Sequence, residues 1–280
     1  MKVAVTGSTG FIGQHVLSQL ISHPVDVVAV VRECSRVHSI LDDIESVQMD
    51  LDSAPENAFD VMGRPDVVIH LAWGGLPNYR SLHHFEHELP IHYRFLSGLV
   101  RSGLSRLVVA GTCFEYGMQS GQLSETMVAY PENPYGFAKD TLRRQLEYLR
   151  KSQPFALIWT RVFYLYGAGQ AESSLLPQLK SAVEQGHGVF NMSGGEQLRD
   201  YLSVIDVART LVMLALHGAD IGVLNVCSGK PIAVRKLVEE WIEENGWQIK
   251  LNLGHYSYPD YEPLAFWGDR RKLDEFLASI

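Results

Sequence analysis

The stretch Lys2-Val3-Ala4-Val5-Thr6-Gly7-Ser8-Thr9-Gly10-Phe11-Ile12-Gly13 decides the fold. Lys2 to Thr6 read as an apolar strand and the glycines as a tight turn. From Phe11 onward, Phe11, Ile12, Val16, Leu17, Leu20 and Ile21 fall at helical spacing. A strand that delivers the chain to a turn from which a helix opens leaves backbone N–H groups and the positive end of the helix dipole aimed at one spot, where a diphosphate fits. Glycine lets the chain turn sharply, lets a phosphate approach the backbone and lets the helix pack close to the strand. The spacing is G-x-x-G-x-x-G, one residue longer between the first two glycines than the standard G-x-G-x-x-G fingerprint. A second strand over residues 25–31 follows Pro24 and completes a βαβ unit of about 30 residues. Gly7, Thr9, Gly10, Phe11, Ile12 and Gly13 are therefore expected to hold a nucleotide cofactor.

Working outward, strand-like segments near residues 2–6, 26–31, 46–49, 66–71, 105–110 and 155–160 alternate with helical ones near 11–22, 82–102 and 135–151, the pattern of a parallel sheet with helices on both faces. Val67-Val68-Ile69-His70-Leu71 and Leu107-Val108-Val109-Ala110 are apolar on both sides of the pleat, as central strands must be. Beyond Arg161 glycine-bearing loops separate helices near 174–185, 204–216 and 231–245. The chain divides accordingly into residues 1–165, a cofactor-binding body, and residues 166–280, a smaller substrate-binding lobe interwoven with it.

Composition narrows the classes. With 280 residues and 46% hydrophobic content the chain can build a sizeable core. It has neither an apolar run of about 18 residues nor a secretory signal, so a cytoplasmic protein away from membranes is expected. The net charge of −8, without acidic or basic blocks, gives no reason to expect nucleic acid. The three cysteines, Cys34, Cys113 and Cys227, lie far apart, as in a reducing compartment. Helical spacing puts His83 and His87 on one face, but no carboxylate-backed site is evident and no metal is expected.

The chemistry-bearing residues follow the fifth strand. Thr112 stands at that strand's carboxyl end, and Tyr135 and Lys139 are four apart on one helical face. An ammonium beside a phenol is expected to lower its pKa so that it exchanges a proton near neutral pH, and Thr112 adds a hydroxyl hydrogen bond to the same oxygen. At the end of the second strand Arg32, with Ser35 and Arg36 close behind, suits the 2′-phosphate of NADP(H), while Glu33 keeps NAD(H) possible.

These motifs resemble those of the extended short-chain dehydrogenase/reductase family, and within it the enzymes acting on nucleotide-linked sugars. The resemblance rests on the glycine loop, His70-Leu71-Ala72, Thr112 through Tyr116-Gly117, Pro134-Tyr135 with Lys139, Arg161-Val162-Phe163, Tyr166-Gly167, and Arg199-Asp200-Tyr201 with Val204 and Asp206. It implies an α/β, doubly wound parallel sheet (Rossmann) with a smaller C-terminal lobe. It also implies Thr112, Tyr135 and Lys139 as the catalytic triad, and Asp50, Leu51, Leu71, Ala72 and Trp73 beside the cofactor. Lys139 would hold the nicotinamide ribose, and Arg199 the sugar nucleotide's diphosphate. Trp73, Gly74, Gly75, Tyr79, Cys113, Phe114, Glu125 and Phe163 would line the sugar site, with Asn191 and Met192 near the base. Cys113 and Phe114 replace the Asp-Glu pair of the 4,6-dehydratases, and Tyr164 stands where relatives carry a phosphate-touching Asn. What remains is an NADPH-dependent reductase of a nucleotide-linked 4-keto-6-deoxyhexose, best matched by a dTDP sugar, or alternatively an NAD-dependent nucleotide-sugar 4-epimerase. A homodimer is expected through two helices per subunit, carrying Leu82, Phe85, Leu89, Tyr93, Leu96 and Leu99 on one and Leu142, Leu146 and Leu149 on the other.

Overall fold

The strands apolar on both faces do lie in the middle of a sheet buried on both sides. The computed structural model describes residues 1–32, 44–217 and 220–280. The chain runs through β1 (Lys2–Thr6), α1 (Phe11–Leu20), β2 (Asp26–Val31), β3 (Glu45–Gln48), α2 (Ala58–Val61), β4 (Val67–His70), one π-helical turn (His84–Glu88), α3 (Leu89–Arg101), β5 (Arg106–Thr112), a 3-10 turn (Cys113–Tyr116), β6 (Gly121–Leu123) and α4 (Pro134–Ser152). It continues through β7 (Ala156–Val162), β8 (Tyr164–Tyr166), α5 (Leu175–Glu184), β9 (Val189–Asn191), β10 (Leu198–Ser203), α6 (Val204–His217), β11 (Gly222–Val226), β12 (Pro231–Ala233), α7 (Val234–Asn245), β13 (Lys250–Asn252), β14 (Phe266–Gly268) and α8 (Arg271–Ala278).

Seven strands pair in parallel in the order β11-β7-β5-β4-β1-β2-β3. The strand order reverses between β1 and β4, and ligands of doubly wound sheets bind in the crevice that opens beyond the strand ends at such a point. Alternation along each strand sorts the core into two layers. Val3, Val5, Ile69, Val108 and Ile158 face α1 and α6 through Val16, Leu17, Val207 and Leu211. Ala4, Val28, Val68, Leu107 and Val109 face α3 and α4. A further cluster unites Leu179, Phe190, Val238 and Trp241 in the smaller lobe. Each fully buried Leu or Val contributes about 1.5–3 kcal/mol, so the two layers carry most of the fold's stability.

The structure corrects several expectations. Leu89, Leu96, Leu99, Leu142, Leu146 and Leu149 are buried against the chain's own sheet and form no subunit face. Phe85 and Tyr93 pack partly onto the same layer, and only Leu82 stands in solvent. The helix expected over 82–102 is two elements, a π turn and then α3 with Pro90 in its first turn. The sheet takes its outermost strand, β11, from late in the chain, where the sequence pattern had suggested six strands. Among the described residues no helix is long and apolar enough to cross a membrane.

Candidate active site

At the amino end of α1 the glycines solve a crowding problem. Gly7 has φ of +67°, and a Cβ there would lie 2.6 Å from the Ala72 nitrogen, so only glycine lets the β1 turn touch the chain leaving β4. A Cβ on Gly13 would lie 2.1 Å from the Gly7 carbonyl oxygen. Gly10 caps the helix without any side-chain hydrogen bond, and the first turn carries no acidic residue. The leading N–H groups are thus left for an external anion, and this cradle fits the diphosphate of a dinucleotide. Thr9 and Gly10 are exposed at its mouth, Phe11 and Ile12 are half-buried, and Ser8 is buried with its hydroxyl donating to the Val30 carbonyl at 2.9 Å.

Thr112, at the end of β5, is locked by a reciprocal cap. Its Oγ1 accepts from the Phe114 N–H at 3.3 Å while Glu115 Oε1 accepts its own N–H at 2.9 Å. Glu115 is fully buried and also accepts from Trp159 Nε1 and Arg161 Nε, each at 2.8 Å. With one lone pair engaged by Phe114, the Thr112 hydroxyl opposes the rise of the Tyr135 phenol, the smallest of the influences on it.

Tyr135 sits in the first turn of α4, where Pro134 takes a position needing no donor and Asn133 caps the helix by accepting from the Gly136 N–H at 2.8 Å. Lys139 lies one turn on. Both are buried, at 8% and 2% exposure. The Lys139 ammonium rests 4.0 Å from the Trp73 ring centroid, and that ring meets Tyr135 edge-on at 6.1 Å. Trp73 is itself fixed: its Nε1–H donates to His84 Nδ1 at 3.1 Å and its ring stacks on His92 at 4.6 Å. Since Trp73 follows Ala72, one unbroken set of contacts leads from Gly7 to Lys139 and Tyr135.

The electrostatics depart from expectation. Burial pushes the Tyr135 phenol far up, with Tyr79, Glu115 and Cys113 adding to the shift against a smaller opposing effect of Thr112. Burial instead brings Lys139 down from 10.5 to about 7, against the pull of Glu115 and Glu88. The pair is therefore a firmly protonated phenol beside an amine that titrates near neutrality.

Aromatic rings wall the space next to Tyr135. Tyr79 lies 5.6 Å from it, 4.8 Å from Phe114 and 6.3 Å from Tyr261, and its carbonyl accepts the Tyr135 N–H at 3.2 Å. Burial pushes the Tyr79 phenol up to about 12. Behind this wall Arg199 pairs with Glu262 at 2.8 Å and donates to the Leu198 and Leu264 carbonyls, which leaves its buried Nε without a partner. Tyr164 donates to the same Glu262, and Arg80 pairs with Asp260 under Tyr261.

Residues 3–227 match the NAD dependent epimerase/dehydratase family. The chain belongs to that family. It is 28% identical to the dTDP-6-deoxy-L-talose 4-dehydrogenase (NAD(+)) of Aggregatibacter actinomycetemcomitans, over 96% of this chain and 99% of that one. It is 26% identical to the dTDP-6-deoxy-L-talose 4-dehydrogenase (NAD(P)(+)) of Kitasatospora kifunensis, over 88% and 79%. The solved structure of MoeE5 in complex with UDP-glucuronic acid and NAD superposes with a TM-score of 0.83 at 30% identity, covering 99% of this chain and 93% of that one. The protein is thus an NAD(P)-dependent oxidoreductase of the nucleotide-sugar 4-dehydrogenase and epimerase group, on the doubly wound fold read from its sequence.

In this member of the epimerase/dehydratase family the structure links Gly7, Leu71, Ala72, Trp73, Tyr79, Thr112, Phe114, Tyr135 and Lys139 in one run of neighbours. Others fall elsewhere. Phe163 is buried with Tyr116, Leu123, Cys227 and Phe266, because one residue past β7 its ring turns into that core. Cys113 belongs to the same cluster and burial pushes its thiol up, which keeps it unreactive. Glu125 accepts the Asn225 N–H at 2.8 Å beside β11, away from the aromatic wall. Asn191 is exposed and accepts from Asn252 across the β9–β13 pair, while Met192 is buried in the lobe's core. Arg199 is more enclosed than a diphosphate contact requires, since Glu262 occupies it. Arg32 is exposed at the end of β2, Asp50 is exposed after β3, and Leu51 packs on the sheet. Glu33, Cys34, Ser35 and Arg36 lie outside the described residues. The sequence reading missed Glu115, although Thr112-x-x-Glu115 is a capping signature. It also missed Tyr261 and Glu262, which sit in an irregular loop without any periodic signal. The carboxylate it did not find near His83 and His87 is Glu88.

Proposed function

We propose that the protein reduces the 4-keto group of a nucleotide-linked 4-keto-6-deoxyhexose, best a dTDP sugar, to the alcohol. When bound, the nicotinamide supplies the hydride. Tyr135 gives its proton to the ketone oxygen and Thr112 donates a hydrogen bond to the same oxygen as charge develops there. The observation that carries this reading is the buried Tyr135 meeting the Trp73 ring that also carries the Lys139 ammonium, one helical turn away, with contacts running back to the glycine cradle. A phenol held protonated by burial serves as the donor that reduction needs, and Lys139, near 7, can return a proton to it at neutral pH. The relatives named for a dTDP-6-deoxy-L-talose support the sugar class.

The same reading takes residues 1–165 as the cofactor-binding body and 166–280 as the substrate lobe, and Arg32 as the group that favours NADPH while NADH is still accepted. It takes the working unit as a cytoplasmic homodimer formed by the outer faces of the π turn, α3 and α4, where Leu82, Phe137 and Tyr148 are exposed.

The test is to incubate the protein with NADPH or NADH and a panel of nucleotide-linked 4-keto-6-deoxyhexoses, following loss of reduced cofactor and identifying the product by NMR. Tyr135→Phe should lose about 10²–10⁴-fold in turnover while still binding cofactor. Normal reduction by that variant refutes the mechanism. Interconversion of 4-hydroxy sugars without cofactor consumption, with NAD released on boiling, identifies a 4-epimerase instead.

A further inference from the structure

His83, His87 and Glu88 each place one ligand atom so that all three lie within 4.8 Å of one another. An α-helix would forbid this, since at 3.6 residues per turn positions five apart point about 140° away from each other. The π turn His84–Glu88 winds more widely, closing i→i+5 hydrogen bonds, and so brings positions 83, 87 and 88 to one flank. Turns of this kind are rare and are found frequently at functional sites.

His83 Nε2 is hydrogen-bonded to Glu88 Oε1 at 3.0 Å and His87 Nδ1 lies 3.5 Å from the same oxygen, with the two imidazoles stacked at 4.6 Å, so an ion would replace these contacts and turn one ring. Ligands held about 2.0–2.2 Å from a tetrahedral ion stand about 3.4 Å from each other. The other carboxylate oxygen is already fixed, accepting the Gly74 N–H at 2.7 Å and lying 3.1 Å from His92 Nε2. That support runs inward from His92 Nδ1 to His70 Nε2 and from His70 Nδ1 to Thr6 Oγ1, both at 2.8 Å. On the outer side, the second ring nitrogen of His87 faces Asp52 Oδ2 at 4.0 Å. Outer partners of this kind orient metal-binding imidazoles and carboxylates. The histidine side chains are 41% and 51% exposed and that of Glu88 11%, so an ion can enter from solvent and water can complete its coordination. None of the three gives or takes a proton in the reduction proposed above, although Glu88 pulls on the Lys139 ammonium.

We infer that His83, His87 and Glu88 form a site for one divalent transition-metal ion of the zinc, cobalt or nickel type. Two imidazoles and one carboxylate suit these ions, whereas magnesium and calcium favour all-oxygen sets. Through Glu88 the ion clips the π turn to Gly74, on the loop whose Trp73 carries Lys139.

The experiment uses the full chain, free of any histidine tag and stripped with a chelator, titrated with Co²⁺. A visible d–d absorption should saturate at one ion per chain, vanish when Zn²⁺ is added, and accompany a higher thermal unfolding midpoint. The variant His83→Ala/His87→Ala should bind Co²⁺ at least about 100-fold more weakly, while His187→Ala, at an exposed histidine elsewhere, should bind normally. Should the double variant fail to fold by circular dichroism, the single variant His87→Gln takes its place, with affinity expected to fall at least about tenfold. A spectrum that does not saturate, or an affinity unchanged in the variants, overturns the inference.

Discussion

Replacing Lys139 by methionine should strengthen the fold while abolishing turnover. Burial lowers the amine from 10.5 to about 7, and each power of ten is worth about 1.4 kcal/mol. Keeping a titratable amine there therefore costs the folded chain on the order of 4 kcal/mol at pH 7, a figure already net of the attraction to Glu115 and Glu88. At 2% exposure solvent screens little of it. Between about pH 7 and 10.5 the unfolded chain holds this proton and the folded chain does not, so the penalty shrinks as pH rises through that window and is constant below it. Methionine has similar length and no charge to bury. Urea unfolding of Lys139→Met should show a gain of about 2–4 kcal/mol at pH 7, falling to about half at pH 9, with a midpoint raised by about 5 °C in a thermal scan at neutral pH. A variant less stable than the parent at pH 7, or a gain that grows towards pH 9, refutes the assignment of Lys139 as a buried, strained amine.

Three further outcomes are expected. Glu115→Gln leaves Arg161, buried at 2% exposure, with only the more distant Asp140 at 4.0 Å as counter-charge; the loss should be about 3 kcal/mol in denaturant unfolding, and a change below about 1 kcal/mol would show that the pair is dispensable. Gly13→Ala drives a methyl to 2.1 Å from the Gly7 carbonyl, so cofactor affinity measured by calorimetry should drop at least about tenfold, whereas Gly188→Ala, which meets nothing within 4 Å, should bind like the parent. Arg32→Asp should lower kcat/KM for NADPH relative to NADH by about tenfold or more through repulsion of the 2′-phosphate, and an unchanged ratio would remove Arg32 from cofactor choice.

What the sequence made legible follows from local physics. The glycine cradle, the alternation of strands and helices, and Thr112, Tyr135 and Lys139 are fixed by spacing along the chain, and the fold keeps those spacings. The leucines of α3 and α4 were legible as an apolar stripe, but periodicity says only that a face is covered, and Leu96 and Leu146 are covered by the chain's own sheet. The Tyr135–Lys139 spacing placed two groups on one face, yet their acidity depends on desolvation, which only packing from Phe114, Tyr79 and Trp73 reveals. Phe163 and Tyr164 are adjacent, and nothing local tells which of the two turns into the core around Phe266 and which reaches Glu262. The pairing of His83 with Glu88, five apart, escaped notice because helical reasoning assumes a constant pitch.

The late arrival of β11 has a consequence for biogenesis. Val223 to Val226 pair with Trp159 to Val162, and α6 just before them lays Val207 and Leu211 on Val16 and Leu17. A nascent chain halted near residue 165 would expose the bare hydrogen-bonding edge of β7 and an uncovered oily face on α1, an invitation to aggregate. Residues 1–165 alone thus lack the partners that cover this edge and this helix, and the ribosome must release well over two hundred residues before the first helix is sheltered.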